Sequence, residues 1–540
     1  MPRLAPLAAA LALVAGVAAG ATPPAPPSLA ARLAALAAGE RLVLGGEELV
    51  SHVAVPRVYA LSGGRLLWQD PARVATLIET IRASADDGLR PEDYHLRALT
   101  RPAPGAPGGV DADLLATDAY VMLLYDLYLG KVDPVAIEPN WNLPARPLRE
   151  RQALAFVVGA IERGEIREAA ERVRPQHWLY EFGRAALARH RAIERAGGWE
   201  RVADGAKLLP GASDARVPAL RRRLAVSGDY AGAASESPLY DAALVEAVRT
   251  FQRHHRLTAD GEVGAPTRRE LNVPVGARID QLRINLERGR WVLHEIGDDD
   301  LLVVDIAGYG VRFLRHREVV WRARAIVGQT YRQTPEFRAE IENVVFNPAW
   351  TVPPGILARD VLPQLKRGED VLARKKLRLY DRSGAPVDPA TVRWSDYTPR
   401  DFPYVLRQDP GADNSLGRVK INFPNPYLVY LHDTPARSLF DRSQRNFSSG
   451  CIRIERPLEL VELLLADPVR WDGAAIRAAV DAGTTRTVAL PRKVTVLLIY
   501  WTVDRDPDGG VVFKRDAYGR DPRLLRALDG RFGFGTRVRA

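Results

Sequence analysis

The chain has one cysteine, Cys451, in 540 residues. A disulfide needs two, so no internal bridge staples the fold, and multi-cysteine zinc sites and iron–sulfur clusters are excluded with it. Beyond the first twenty or so residues there is no run of the roughly 20 apolar residues that a membrane helix needs. There is no acidic excess either. Lys plus Arg is 76 against 66 Asp plus Glu, a formal charge of +10 with both signs well mixed, which excludes an acidic, solvating chain. The 46% hydrophobic and 26% charged content is that of a globular protein, and the length allows about three to four domains.

The N-terminus decides how the lone cysteine is read. Met1-Pro2-Arg3 carries one positive charge, and Leu4 to Gly20 is Ala, Leu, Val and Gly apart from Pro6. Ala19-Gly20-Ala21 is a small-residue cleavage pattern, so residues 1–21 read as a secretory signal peptide, with a retained membrane anchor as the alternative. An exported lone cysteine stays a free thiol unless another molecule caps it, which marks the protein as a thiol-enzyme candidate. A basic balance fits nucleic acid, anionic surfaces or acidic substrates. Export argues against nucleic acid, and none is expected as a partner. Arg221-Arg222-Arg223 reads as a solvated helix face.

Along the chain the pattern changes twice. Residues 28–205 are rich in Ala, Leu and Arg, and Ala72–Ser84, Leu114–Leu129, Leu154–Arg163 and Trp178–Ala196 have helical spacing. This predicts a helical scaffold, with Pro102–Gly109 as a loop and His95 and Asp133 as structural residues. Residues 208–275 form a second unit with helices over Val217–Ala225 and Ala242–His254. Leu244, Val248 and Phe251 share a face, Asp241 is an N-cap, Asp260-Gly261 a turn, and Thr267 the cap of a short third helix. His254-His255 is expected at an exposed helix end. From about residue 300 short Val/Ile-rich strands predict a sandwich or barrel. Residues 359–416 interrupt them with a polar, partly helical insertion of the kind that serves as a lid. Strands resume at Val419–Phe423, Pro457–Leu465 is helical, Lys493–Thr502 is a strand, and residues 503–540 are a C-terminal extension. The fold class is multidomain α+β.

The chemistry lies between Leu428 and Ile454. A strand ends at His432, and nineteen residues later Cys451 follows Gly450 in Ser448-Ser449-Gly450-Cys451-Ile452-Arg453. A thiolate is the reactive form of cysteine, and a free thiol with pKa about 8.5 is mostly protonated at neutral pH. A neighbouring imidazole takes the proton as general base and returns it to a leaving amine. Gly450 lets the backbone turn sharply, and amides around it and Cys451 are candidates for an oxyanion hole. On a strand Arg453 shares a face with Cys451 and is suited to a substrate carboxylate. Arg445 either does the same or braces the loop. Tyr430 shares the face of His432 and is assigned to the donor site, with core packing as the alternative. Trp350 either walls the site or packs. Ser448 is a hydrogen-bond partner in the cysteine turn or purely structural, and Phe440 is core. His-then-Cys order disfavours a papain-like arrangement. The bland alternative is a buried strand cysteine, a common place for that residue.

Two resemblances follow from these motifs. Phe251-Gln252, Leu257, Asp260-Gly261, Val263-Gly264 and Thr267 resemble the three-helix peptidoglycan-binding module of many cell-wall enzymes, with Arg256 where the usual pattern has Gly. A helical module whose groove no longer binds is the alternative. His432 to Arg453 resembles the signature of L,D-transpeptidases, the cysteine enzymes that crosslink peptidoglycan. With Asn347-Pro348-Ala349-Trp350-Thr351-Val352-Pro353-Pro354 and the domain order, residues 300–502 resemble the catalytic domain of the large periplasmic Gram-negative type. Many relatives have Gly after the histidine where this chain has Asp433; the resemblance implies that a backbone carbonyl there orients His432. It further implies attack by Cys451 on the carbonyl between a diamino acid and D-Ala, release of D-Ala, a thioester and a 3→3 crosslink. It implies peptidoglycan stem peptides as partners, other cell-wall synthesis proteins as possible ones, acylation by carbapenems, periplasmic location, and no metal or organic cofactor. The same thioester given to water or another amine would make a carboxypeptidase, a crosslink hydrolase or an attacher of a wall protein, and an inert wall-binding scaffold is the non-enzymatic alternative.

Overall fold

A computed structural model describes residues 28–101, 109–138 and 141–530. The expected signal segment, most of the 102–109 loop and the chain after residue 530 lie outside the described residues. Among the described residues no helix is long and apolar enough to cross a membrane.

The N-terminal region is helical. Its central helix, α1 (Val110–Leu129), is buried along almost its whole length, as befits a helix apolar nearly all round. Its acidic residues tolerate burial because each has partners. Asp113 accepts from the amides of Leu67 (3.0 Å) and Trp68 (2.7 Å) and from the Tyr59 hydroxyl (2.6 Å). Asp118 accepts from the Val50 and Ser51 amides, both at 2.8 Å, and lies 2.9 Å from His95 Nε2. His95 is thus a packing residue, and Asp133 caps a short helix through the Val135 amide (3.1 Å).

The second unit packs α2 (Val217–Ser227), α3 (Ala242–His254) and α4 (Ala265–Leu271) around Val217, Leu220, Leu244, Val248 and Phe251. Asp241 caps α3, accepting from the Leu244 amide at 2.9 Å. Gln252 locks the Asp260-Gly261 turn: its Oε1 accepts from the Gly261 amide (2.9 Å) and its Nε2 donates to Asp260 (2.8 Å). Arg256 takes φ of 52°, the left-handed conformation that favours glycine, so the turn survives the substitution.

Three expectations for this unit are corrected. Thr267 does not cap α4; Gly264 is at the cap position, and Thr267 sits inside the helix, accepting from Gln252 Nε2 at 3.1 Å. Arg221 and Arg223 are buried rather than solvated. Arg221 donates to the Ser235 and Ser237 carbonyls, and Arg223 lies 3.8 Å from the Trp199 ring centroid and donates to the Leu271 carbonyl (2.8 Å). Aromatic and carbonyl partners let a guanidinium be covered where a bare charge would not be. His254 and His255 are buried at a domain junction: His254 Nδ1 lies 2.7 Å from Asp229 and its Nε2 3.2 Å from Asp508, while His255 stacks on Phe251.

Helix α5 (Val275–Val292) joins this unit to the β-rich domain and is buried from Leu282 to Val292. Nothing in the sequence reading had placed it. The β-rich domain then runs β1 (Leu301–Asp305), β2 (Gly310–Arg315), β3 (Glu318–Gly328) and β4 (Phe337–Phe346). β5 (Trp350–Thr351) leads into the insertion, which carries β6 (Arg378–Tyr380) and β7 (Val405–Gln408). After it come β8 (Val419–Asn422), β9 (Leu431–His432), β10 (Asn446–Ser448), β11 (Ile452–Ile454), helix α6 (Pro457–Leu465) and β12 (Arg486–Ile499). The order β10-β3-β11-β9-β8-β4-β12-β1-β2, with β2 returning to β3, closes eight strands on themselves and leaves β10 beside β3. Leu431, Ile452, Ile454 and Ile421 belong to the buried core of this domain. Strand alternation therefore turns Lys420, Tyr430, His432, Cys451 and Arg453 to the other face.

The insertion is more than a polar excursion. Its two strands pair with β5 in the order β5-β7-β6, and Val361, Leu362, Leu365, Leu379 and Leu406 make a core of their own with Trp350 and Leu416. The C-terminal segment is likewise built in. β13 (Val503–Arg505) and β14 (Val511–Phe513) form a hairpin, and α7 (Asp521–Asp529) follows. Val503, Phe513, Leu524 and Leu528 lie in the same apolar core as the N-terminal helices.

Candidate active site

Two very short strands position the reactive residues. β9 and β11 run parallel, with Leu431 opposite Ile452 and His432 opposite Arg453. The same register sets Tyr430 beside Cys451, and the Ile452 amide donates to the Tyr430 carbonyl at 3.1 Å. On the far side of β9, Lys420 of β8 lies opposite His432. Lys420, His432 and Arg453 thus form one row across three strands, and Tyr430 and Cys451 begin the next. Cys451 and His432 are diagonal neighbours on this face, and the Cys451 thiol donates to the Leu428 carbonyl at 3.8 Å.

The turn before Cys451 is held by named hydrogen bonds. Ser448 Oγ donates to the Cys451 carbonyl (2.5 Å) and accepts from the Gly450 amide (3.1 Å). Gly450 has φ of 117°, which side chains avoid. Thr334 Oγ1 donates to the Gly450 carbonyl and accepts from the Gly328 amide, both at 2.9 Å. The Tyr518 hydroxyl donates to the Gly328 carbonyl (2.7 Å) and accepts from the Thr334 amide (3.2 Å). Sequence reasoning missed both residues, since neither stands near the cysteine in the chain.

His432 is buried, and its Nδ1 lies 2.5 Å from the Asp433 carbonyl oxygen. A carbonyl only accepts, so in the neutral ring Nδ1 carries the hydrogen and Nε2 is the basic atom. Burial first, then the charge of Arg453, bring the pKa down to about 3, with the Asp433 carbonyl opposing; Lys420 adds to the fall and the Leu416 carbonyl resists it. The ring is therefore neutral at pH 7. The Asp433 carboxylate accepts from the Arg418 amide (2.9 Å) and from Arg437 (2.8 Å). It packs against Gly417, whose φ is 62° and whose missing Cβ would collide with it.

Burial pushes the Cys451 thiol up; hydrogen bonds from Tyr430 and the charges of Lys420 and Arg453 oppose that rise. Burial, then Cys451, raise the Tyr430 hydroxyl, to which the Trp350 side chain is hydrogen bonded. The Tyr430 and His432 rings meet edge-on at 5.6 Å. Arg453 Nε is buried with no acceptor among the described residues. Arg445 is placed differently. Its guanidinium donates to the carbonyls of Ala325 (3.2 Å), Arg442 (2.7 Å) and Tyr309 (3.1 Å), so it braces the loop, the second of the two roles its position allows. Phe440 is buried. Lys420 was not singled out in the sequence, because a lone lysine on a strand carries no motif and only the register brings it here.

Residues 299–487 match the L,D-transpeptidase catalytic domain, residues 213–271 a domain described as "Putative peptidoglycan binding domain", and residues 53–187 a scaffold domain. The β-rich domain is thus an L,D-transpeptidase catalytic domain, and it stands beside a peptidoglycan-binding module and a helical N-terminal region. A curated Haemophilus influenzae protein named "Putative L,D-transpeptidase" is 32% identical over 259 residues, 48% of this chain and 50% of that protein. The chain spans about half the length of this relative. Two solved structures are also similar, both of L,D-transpeptidases. The one from Xylanimonas cellulosilytica is 14% identical with a TM-score of 0.17 and covers 55% of this chain and 99% of its own. The one from Stackebrandtia nassauensis is 11% identical with a TM-score of 0.22 and covers 55% and 96%.

Proposed function

We propose that this protein is an exported, periplasmic peptidoglycan L,D-transpeptidase that forms 3→3 crosslinks through a thioester on Cys451. The observation that carries this reading is the shared face of Cys451, His432 and Arg453 on two paired strands, with His432 neutral and its Nδ1 set against the Asp433 carbonyl. In the proposed first step, Nε2 takes the thiol proton as Sγ attacks the carbonyl between the diamino acid and D-Ala of a donor stem. The Gly450 amide is committed to Ser448, so this reading gives the oxyanion to the Cys451 amide, at the nucleophile itself. The C–N bond breaks, His432 gives its proton to the departing D-Ala amine, and the thioester remains. The side-chain amine of an acceptor stem then attacks the thioester. Its proton passes to His432 and on to the departing thiolate, which restores the thiol.

In this reading the insertion, whose core packs against Tyr430, favours transfer over hydrolysis by limiting water at the thioester. The peptidoglycan-binding module supports murein as the partner. Intact-mass measurement after incubation with a tetrapeptide stem or a carbapenem tests the reading. A covalent adduct on the wild-type chain, absent in Cys451→Ala, is expected together with 3→3 dimers among the products. An adduct that persists in Cys451→Ala refutes it.

A further inference from the structure

Lys420 is the feature of this site that the reading above leaves unused. Its Nζ lies 4.2 Å from the Tyr430 ring centroid, so the side chain leans from its own row toward the row that holds Cys451. Elsewhere in the protein, covered lysines are matched by acids: Lys131 by Asp93 at 2.7 Å, and Lys514 by Asp305 and Asp504. Among the described residues neither Lys420 nor Arg453 has such a partner. Burial lowers both, and the one neighbour that favours the charged form of either is Cys451. Two half-buried cations beside a single ionisable sulfur leave one positive charge unmatched even when the thiolate forms. Covered charges are costly unless paired, so the face is built to receive an anion from outside.

The donor supplies one. In a tetrapeptide stem the residue that leaves carries a free carboxylate one carbon from the nitrogen of the broken bond. With the scissile carbonyl at Sγ, that carboxylate has two cations on the same face to meet, Lys420 and Arg453. We propose that Lys420, together with Arg453, binds the terminal carboxylate of the leaving residue and thereby selects donor stems that end in a free D-amino acid at position four. This rests on the transpeptidase reading and adds to it a specificity residue and the group it recognises.

The test compares a tetrapeptide stem with the same peptide capped as its C-terminal carboxamide, using the full chain and its K420M and K420R variants. Both peptides lose their fourth residue on acylation, so intact mass must show the same adduct on Cys451 from either. The wild type is expected to favour the free acid by at least about tenfold in kcat/KM, as loss of a charge-assisted hydrogen bond dictates. K420M is expected to erase most of that preference, mainly through a higher KM for the acid, while K420R keeps it. Equal turnover of acid and amide by the wild type overturns the proposal without needing any variant. So does a K420M that slows both peptides in proportion, because Lys420 would then serve the thiol and not the carboxylate. Absence of the adduct with both peptides in the wild type sinks the transpeptidase reading, and this proposal with it.

Discussion

Arg332 holds both carboxylate oxygens of Asp360, at 2.5 and 2.8 Å, and the same guanidinium donates to Ser449 Oγ at 3.0 Å. Asp360 belongs to the insertion and Ser449 to the turn that presents Cys451. One side chain therefore ties the insertion to the nucleophile loop.

That tie is partly exposed and so thermodynamically weak, about 1 kcal/mol or less. Asp360→Ala is expected to leave the melting temperature nearly unchanged yet to speed limited proteolysis within residues 351–416 several-fold and to slow acylation. High salt should shrink the difference from wild type. Identical cleavage rates in both proteins would show that the pair does not hold the insertion.

The low pKa of His432 sets the acid side of the pH profile. Because the folded ring stays neutral down to about pH 3, kcat/KM should show no titration near 6.5, where an ordinary histidine would switch off. On the other side, burial raises the thiol, so alkylation of Cys451 should keep rising with pH above the usual thiol range. Stability has a matching sign. Unfolded, His432 gains a proton near 6.5; folded, it does not until about 3, so the unfolded state binds more protons in that window and stability falls as pH drops through it. Urea melts at pH 7 and 4.5 should show wild type losing on the order of 2 kcal/mol more than His432→Gln.

Asp433 holds His432 with its backbone and secures its own loop with its side chain. Asp433→Asn should therefore retain most activity. Gly417→Ala should be worse than any change at Asp433, since its new Cβ meets the Asp433 side chain and displaces the carbonyl that fixes the ring. A loss of at least tenfold in kcat is expected, with little change in KM. Wild-type kcat in Gly417→Ala would contradict this account.

Thr334 and Tyr518 carry the cysteine turn from behind. Thr334→Val removes two hydrogen bonds and leaves the Gly328 amide and Gly450 carbonyl without that partner, at a cost of about 1–3 kcal/mol. Tyr518→Phe should cost less and lower kcat in the same direction. Calorimetry with acylation rates on both variants checks this; an effect on stability with none on acylation would make Tyr518 a packing residue only.

The sequence was most legible where chemistry is local. The spacing from His432 to Cys451 and the helix cap at Asp241 could be read because each depends on neighbours in the chain. The rest depended on partners far away. Lys420 became visible through the pairing of β8 with β9. Arg221 and Arg223 looked solvated because a triple arginine gives no hint that carbonyls and Trp199 await two of its members. For Arg445 the sequence leaves two roles open, substrate contact or loop brace, and only the distant β3 backbone and Tyr309 carbonyl show the brace.

Leu524 and Leu528 lie in one apolar core with Leu36, Leu44 and Val58, and Lys131 donates to the carbonyls of Leu528 and Gly530. The N-terminal helical region thus waits for residues made after the β-rich domain before its interior can close. Synthesis from the N-terminus cannot finish that region in passing, and a chain cut short after the β-barrel would leave it with a gap in its wall, open to proteases and to other unfinished chains.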